Sequence, residues 1–248
     1  LLASNAVRVL YNHWGGVISI TNGNAIGIPT GVNYPDKFNF NASATLRTAN
    51  NITLGRNVSG ADNAGFRING GSTGTFDVTV DTLTIDGIIA EFGSGSGSLT
   101  KVGAGTLTLT QTNAYTGATT ISNGVLALSG TGAIAGSPTI NVAGGAFDVS
   151  GTTFTLGSGQ LLKGNGSVSG ALTANGTIAP GASIGTLTFS NAPTLNGAII
   201  AEINQTNAQT ADTLALTTGT LNYGGALIIT NVGPAVTNGT FTLFSAPG

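Results

Sequence analysis

The sequence predicts an all-β protein, a β-solenoid in which short parallel strands stack coil upon coil around a central core. Three observations predict it: threonine alternates with apolar residues at period two, glycine-rich turns follow every few residues, and an internal repeat recurs at about 20 residues. The 248-residue chain has 40 glycines but is only 6% charged, whereas charged residues usually form about a quarter of a soluble domain. Such a mixture disfavours helices.

The strands are expected to be short because the alternating runs are short. Threonine or aspartate alternates with apolar residues in 76–80, 106–110 and 240–244. Alternation at period two gives one buried and one exposed face, and glycine, asparagine or Ser-Gly bounds each run. The pattern indicates strands of three to six residues joined by tight turns.

The phase of the alternation shifts within one stretch, which predicts a corner. The apolar residues of 76–80 occupy even positions, whereas Leu83 and Ile85 occupy odd ones. Keeping all of them inward, Val80 included, requires the chain to bend near Asp81. A long flat strand would not bend in this way, but a coil would.

The turns repeat along the chain. Segment 120–130 can be laid on the segment 21 residues later. The aligned pairs are Ile121 with Val142, Leu126 with Phe147, Leu128 with Val149 and Gly130 with Gly151. A single coil cannot bury its apolar face alone, so successive coils stack about 4.8 Å apart and share one core. At roughly 20 residues per coil, the chain would hold about a dozen coils.

A Gly-Ser run at 93–98 divides the chain in two. It lacks the Gly-Lys-Ser/Thr of a phosphate loop and no helix follows it, so we interpret it as a turn or linker. The predicted division is an N-terminal β region at 1–92, a cap or contact region, and a solenoid repeat region at 93–248.

Part of the repeat region resembles a known family. The runs GSLTKVGAGTLTLT at 97–110 and NAYTGATTISNGVL at 113–126 are similar to the passenger-associated β-strand repeat of bacterial autotransporters. Weaker similarity extends to residue 188, and residues 1–90 carry no match. The resemblance implies a secreted, single-stranded, right-handed parallel β-helix used as a stacking scaffold, and it implies no particular activity.

Few residues suit catalysis or metal binding. The chain has no cysteine and one histidine, His13, which excludes a zinc site of three or four nitrogen and sulfur ligands within one chain. A Ser-His-Asp triad would have to use His13, and no Gly-x-Ser-x-Gly elbow presents a serine. We expect His13 to be a surface or aromatic-cluster residue, and we expect no enzyme activity, catalytic residue, metal or cofactor.

The densest group of acids is Asp77, Asp81, Asp86 and Glu91. Along one strand Asp77 and Asp81 would lie about 13 Å apart at ~3.3 Å per residue, beyond the roughly 5–9.5 Å of a hydrolytic carboxylate pair. Stacking of coils can bring two of these acids together, but their spacing in the sequence does not show whether it does. We interpret these residues as solvated acids at edges and corners.

The charge and hydropathy of the sequence limit the classes of partner that the protein can bind. Seven scattered basic residues cannot form a track for nucleic acid, and no apolar run approaches the roughly 20 residues that a membrane-spanning helix needs. We therefore expect a protein that binds no nucleic acid and does not insert into a membrane, and the resemblance implies that it is extracellular or lies on the cell surface.

Two functions remain open, and the uniformly low charge and the absence of long polar insertions favour the first over the second. One is a structural protein that assembles head to tail with copies of itself into a filament or sheath. The other is an adhesin that binds a surface or a glycan. Candidate subunit-contact residues are the aromatic Tyr11 and Trp14 near the start, which would serve equally as a cap, and Phe241, Leu243 and Phe244 near the end. The terminal run is apolar and uncharged, so an edge strand there would pair with another chain.

Overall fold

The chain folds as a parallel β-solenoid whose coils have up to three sides. The computed structural model describes residues 10–21, 37–54 and 65–247. Every pairing between its strands is parallel, and no helix occurs among the described residues. The predicted all-β solenoid is therefore confirmed.

One sheet of ten strands runs along the whole described part of the chain. Its strands are β2 (Gly16–Ile20), β4 (Ala44–Thr48), β7 (Thr73–Val78), β10 (Ser98–Val102), β12 (Thr119–Ile121), β14 (Thr139–Val142), β17 (Leu161–Gly164), β20 (Thr177–Pro180), β23 (Ala198–Ile203) and β26 (Ala226–Asn231). Each strand comes from a successive coil, so this sheet records the order of the stack.

A second sheet of nine strands forms the next side of the coils. Its strands are β5 (Ile52–Leu54), β8 (Thr82–Ile85), β11 (Thr106–Leu109), β13 (Val125–Ser129), β15 (Ala146–Gly151), β18 (Ser167–Ser169), β21 (Thr186–Phe189), β24 (Thr213–Leu216) and β27 (Phe244–Ser245).

Two sheets of four strands form the third side, one in the early coils and one in the late coils. The early strands are β1 (Leu10–His13), β3 (Lys37–Phe40), β6 (Phe66–Asn69) and β9 (Ile89–Phe92). The late strands are β16 (Phe154–Leu156), β19 (Leu172–Ala174), β22 (Thr194–Leu195) and β25 (Asn222–Tyr223). Between these two sheets, Thr112 and Ala133 make a single parallel bridge.

The repeat length varies along the stack. In the middle coils Leu99 pairs with Thr119 and Thr119 pairs with Ile140, which agrees with the predicted period. At both ends the coils are longer: Ala44 pairs with Gly74, and Ala198 pairs with Ala226. The longer coils explain why the long sheet has ten strands instead of about a dozen.

The core is a continuous apolar interior built from stacked side chains. Six side chains predicted to point inward are all buried: Ile121, Leu126, Leu128, Val142, Phe147 and Val149. Ile121 pairs with Val142 and Leu126 pairs with Phe147, as the 21-residue repeat predicts. The register then shifts at a bulge, so that Ser129, not Gly130, pairs with Gly151.

The predicted corner at Asp81 exists, but the chain leaves strand β7 at Thr79, two residues earlier than the alternation indicated. Asp81 has φ of 59°, a left-handed conformation that aspartate tolerates better than most residues. Strand β7 ends at Val78, and the side chain of Val80 is 51% exposed. Val80 therefore lies in the turn, and its predicted inward position is wrong.

Candidate functional site

The predicted N-terminal aromatic group separates into core and surface residues. Phe38 and Phe40 are fully buried, with ring centroids 5.1 Å apart. His13 is buried against both rings at 6.3 Å, which agrees with the aromatic-cluster interpretation. Trp14 is 75% exposed. Tyr11 lies in β1, but the position of its side chain is outside the described structure.

The C-terminal contact candidates are arranged differently from the predicted strand at 240–244. Only Phe244–Ser245 pairs, with Leu214 and Ala215 of β24, and Phe244 is exposed. Phe241 and Leu243 are partly buried and lie outside any strand. Their role as subunit contacts stays a prediction.

The early acids take part in separate contacts instead of forming a cluster. Asp77 accepts a 2.6 Å hydrogen bond from Nε of Arg47 in the coil below. Asp86 accepts one of 2.7 Å from the hydroxyl of Thr110. Asp81 lies at the corner described above. Among the residues the structure describes, no group of three or more His, Cys, Asp or Glu side chains is placed to hold a metal ion.

Glu91 holds the Gly-Ser run in place. Its Oε2 accepts hydrogen bonds from the N–H groups of Gly97 at 2.9 Å and Thr116 at 3.0 Å, and its Oε1 accepts one from the Thr116 hydroxyl at 2.9 Å. Burial alone would raise the pKa of Glu91, but these three hydrogen bonds outweigh it and lower the pKa. Residues 93–98 are thus tied within the stack between β9 and β10. The division at residue 92 stays a prediction, although the long sheet continues across it.

The sequence analysis did not single out Lys101, which is fully buried in the core. It occupies an inward position between Phe76 of the coil before and Ile121 of the coil after. Its ammonium donates hydrogen bonds to the backbone oxygens of Val102 at 2.7 Å, Gly103 at 2.8 Å and Asn123 at 3.3 Å. Burial lowers the pKa of Lys101 to about 8, against the opposing charge of Asp77. This lysine therefore joins two successive corners of the solenoid.

The charged residues of the last part of the chain converge on one place. Residues 149–248 contain three charged side chains, Lys163, Glu202 and Asp212. All three line a single cavity of ≈ 180 Å³, together with the apolar Ala179, Pro180, Ala182 and Ile200 and the hydroxyl-bearing Ser183. We call this cavity, with its three charged residues, the charged pocket.

Stacking brings these residues together from distant positions. Lys163 lies in β17 on the outer face, between the buried Leu162 and Gly164. In the next coil Ala179 pairs with Lys163. Glu202 lies in β23, and Asp212 directly precedes β24. The pocket therefore spans three coils on the outer face of the long sheet.

Asp212 is fixed by the backbone around it. It is only 2% exposed, and its two carboxylate oxygens accept 2.8 Å hydrogen bonds from the N–H groups of Gly185 and Glu202. Gly181 adopts φ of +91°, and a side chain there would come within 2.7 Å of the Asp212 carboxylate. Burial raises the pKa of Asp212 and the Glu202 charge adds to the rise, although the two hydrogen bonds oppose it.

The other two charged groups are available to a ligand. Neither the Lys163 ammonium nor the Glu202 carboxylate makes a hydrogen bond or ion pair with a described residue. The pocket thus presents one cationic donor and one anionic acceptor beside a buried carboxyl. Such a set can bind a polar molecule by hydrogen bonds on several sides.

A loop extends from the coil beside the pocket. Ile203 and Ala211 form an antiparallel bridge, and the Asn204 N–H donates a 2.8 Å hydrogen bond to the Thr210 oxygen. Residues 204–210, which we call the projecting loop, are uncharged and polar apart from Ala208, and 206–209 are exposed. Glu202 and Asp212 stand at its base.

Pairwise spacing in the sequence gave no hint of the charged pocket, because its residues are separated by 39 and 10 positions. The scarcity of charge in residues 149–248 could have pointed to it, because a few isolated charges in an otherwise uncharged region are candidates for a functional role. The described residues also contain no helix long and apolar enough to cross a membrane.

Comparisons with known proteins agree with the resemblance seen in the sequence. Residues 99–128 match the family described as Passenger-associated-transport-repeat. The chain is 38% identical over 212 residues, 83% of its length, to "Adhesin BmaC autotransporter" of Brucella suis biovar 1 (strain 1330). It is also 38% identical over 121 residues, 48% of its length, to "Extracellular serine protease" of Serratia marcescens. It spans only 6% and 9% of these two relatives. No solved structure gives a significant match.

Proposed function

The chain carries an autotransporter passenger repeat and is an extracellular or cell-surface protein, and from this premise we propose that it is an adhesive passenger scaffold. The solenoid supplies a rigid support on which loops and pockets are held in fixed positions. The charged pocket under the projecting loop is the observation that carries the proposal. The relative that matches over most of the chain is itself named an adhesin.

Adhesion accounts for features that stacking alone does not require. A coil gains no stability from an unpaired lysine and an unpaired glutamate on its outer face, because isolated surface charges contribute little. The loop likewise adds residues that bury no apolar surface. Both features instead make sense as a surface that meets another molecule, since binding residues are concentrated on loops held by rigid scaffolds.

Enzyme activity is the weaker interpretation. The Serratia relative is named for a protease, but its match covers less than half of the chain. The only histidine of the chain, His13, is packed between phenylalanine rings, and its Nε2 lies 3.3 Å from the Thr45 backbone oxygen. Among the described residues, His13 makes no hydrogen bond to a serine, so we propose a non-enzymatic role for this part of the protein.

The proposal is tested with the purified chain coated on polystyrene beads. We expect these beads to attach to epithelial-cell monolayers more often than beads coated with albumin. The double variant Lys163→Met/Glu202→Gln should reduce attachment, and Asp148→Asn, a charge change on the second sheet, should not. Equal attachment of chain-coated and albumin-coated beads would refute the adhesive role.

A second role, head-to-tail association with copies of the chain, is favoured by a different observation. All six residues of β26, the last described strand of the long sheet, are exposed, and among the described residues β26 pairs only with β23. An uncharged strand exposed in this way is suited to pair with a further strand, either of the same protein or of another copy. Sedimentation velocity over a range of chain concentrations tests this role directly.

A further inference from the structure

We propose that the charged pocket binds a single uncharged sugar residue of a glycan. The inference rests on the adhesive function proposed above and names the class of its ligand. It follows from three properties of the pocket: its combination of donors and acceptors, its apolar wall and its size.

The polar groups suit hydroxyls better than a charged ligand. The Lys163 ammonium donates hydrogen bonds only, and the Glu202 carboxylate accepts them only. A sugar hydroxyl does both, so neighbouring hydroxyls can be matched to the two groups at once. The opposite charges of Lys163 and Glu202 offset each other, and a ligand need carry no charge of its own.

Charged ligands are disfavoured by the same residues. A metal cation would meet the Lys163 ammonium, and each oxygen of Asp212 already accepts a backbone N–H. A phosphate or sulfate would meet the carboxylates of Glu202 and Asp212. Either ion would bring like charges together with little solvent between them, which is unfavourable.

The rest of the lining suits the carbon face of a sugar ring. Pro180 and Ile200 provide apolar surface, and Ser183 adds a hydroxyl that donates and accepts. Ligand sites generally combine an apolar wall with a few placed polar groups. At ≈ 180 Å³ the cavity is smaller than the roughly 300–1,000 Å³ that encloses drug-sized ligands, so it fits one ring and leaves the remainder of a glycan outside.

The projecting loop is placed to meet that remainder. Apart from Ala208, its side chains are amides and hydroxyls, and its base is formed by the residues next to Glu202 and Asp212. A chain of sugars leaving the pocket on this side would pass along asparagine, glutamine and threonine. The pocket would thus select the first residue of the glycan, and the loop would add contacts.

Binding is measured by saturation-transfer NMR and calorimetry with the full chain. The probes are the methyl glycosides of glucose, galactose, mannose and N-acetylglucosamine, with glucuronic acid and N-acetylneuraminic acid as charged comparisons. We expect at least one neutral glycoside to bind and neither acid to bind better. Lys163→Met and Glu202→Gln should each weaken binding about tenfold, the effect of losing a charge-assisted hydrogen bond.

Controls separate this inference from the adhesive function. Asp148→Asn should leave the affinity unchanged, and circular dichroism should show both pocket variants folded, since neither altered side chain makes a hydrogen bond with a described residue. Binding of none of the neutral glycosides, or binding that both pocket variants retain, would overturn the inference. If the pocket variants reduce bead attachment while no sugar binds, the adhesive function stands and the ligand class is wrong.

Discussion

Lys101 shows how one residue of the repeat stabilises a corner. Its stem fills an inward position between two apolar side chains, and its ammonium satisfies three backbone oxygens in two coils. Without Lys101, these carbonyl groups at the corners would lose the hydrogen bonds that it donates. A charged residue in the core is therefore part of the turn and does not mark an active site.

We predict that Lys101→Met lowers the stability of the chain by about 2 kcal/mol or more, because it removes three hydrogen bonds from a charged donor to backbone oxygens. The measurement is the midpoint of urea unfolding. Lys163→Met is the matched control: it removes the same functional group from a position with no protein partner, and should change the midpoint little. Similar midpoints for both variants would mean that the three hydrogen bonds of Lys101 contribute nothing.

We predict that Glu91 makes the free energy of unfolding depend on pH in the acidic range. Its pKa is lowered in the folded chain from an ordinary value of 4.5, so the folded state favours the carboxylate. The stabilisation is complete above pH 4.5 and is lost as the pH falls through the folded pKa.

The variant Glu91→Gln cannot titrate, so its stability should fall less than that of the parent when the pH drops from 6 to 3. Asp81→Asn is the control, since the Asp81 side chain makes no hydrogen bond among the described residues. The test is urea unfolding at several pH values. Parallel curves for the parent and Glu91→Gln would contradict the assignment.

At the scale of the element, the strands pair in columns that cross many coils. Leu107 pairs with Leu83 before it and with Leu126 after it, and Leu126 pairs in turn with Phe147. Each inward side chain therefore packs against neighbours in the coils on both sides. Losing one side chain affects three coils at once.

We predict that Phe147→Ala costs about 3–5 kcal/mol, the range for removing a fully buried phenylalanine side chain. Phe147 is completely buried, pairs with Leu126 and Val168, and meets Phe154 edge-on at 5.1 Å. Thr155→Ala, on the exposed side of β16, should change stability by no more than ~0.5 kcal/mol. Urea unfolding followed by circular dichroism compares the two variants, and equal effects would mean that the column is not a tightly packed core.

The strands could be predicted from the sequence because period-two alternation is a local property. The turn at Asp81 followed from the change of phase, and the buried set from 121 to 149 followed from the repeat. Val80 was misplaced because alternation cannot locate the last residue before a corner. The strand expected at 240–244 is observed only at Phe244–Ser245. Its length depends on which residues pair with β24 of the preceding coil, and alternation in the sequence does not show that.

The charged pocket was beyond prediction for a related reason. Lys163, Glu202 and Asp212 become neighbours only when three coils stack in a particular register, and that register depends on coil lengths that vary from turn to turn. The early acids show the opposite case. Asp77 and Glu91 are close in sequence, yet Asp77 binds Arg47 whereas Glu91 binds Gly97 and Thr116. Proximity along the chain is a poor guide to proximity across a solenoid.

At the scale of the whole molecule, the last strand of the long sheet has an unusual environment. In β23 Ile199 and Ala201 face the core and are buried, and they pair with Leu227 and Ile229 of β26. Leu227 and Ile229 thus occupy inward positions but are exposed, because no described strand covers β26 on its far side. Within the described chain, this edge therefore combines backbone groups that have no strand partner with exposed apolar side chains.

We predict that this edge drives concentration-dependent association of the chain, and that Ile229→Lys suppresses it. A lysine at an inward position of the edge would have to be buried without a partner when another strand pairs there, which is costly, and charged residues on edge strands are a natural means of preventing such pairing. Val80→Lys is the matched control, because Val80 has the same 51% exposure as Ile229 but lies in a turn in the middle of the stack. In sedimentation velocity the parent and Val80→Lys should shift to larger species as concentration rises, while Ile229→Lys stays monomeric with an unchanged circular dichroism spectrum. If the parent remains monomeric at high concentration, the edge does not mediate self-association. The adhesive role would then be the remaining proposal.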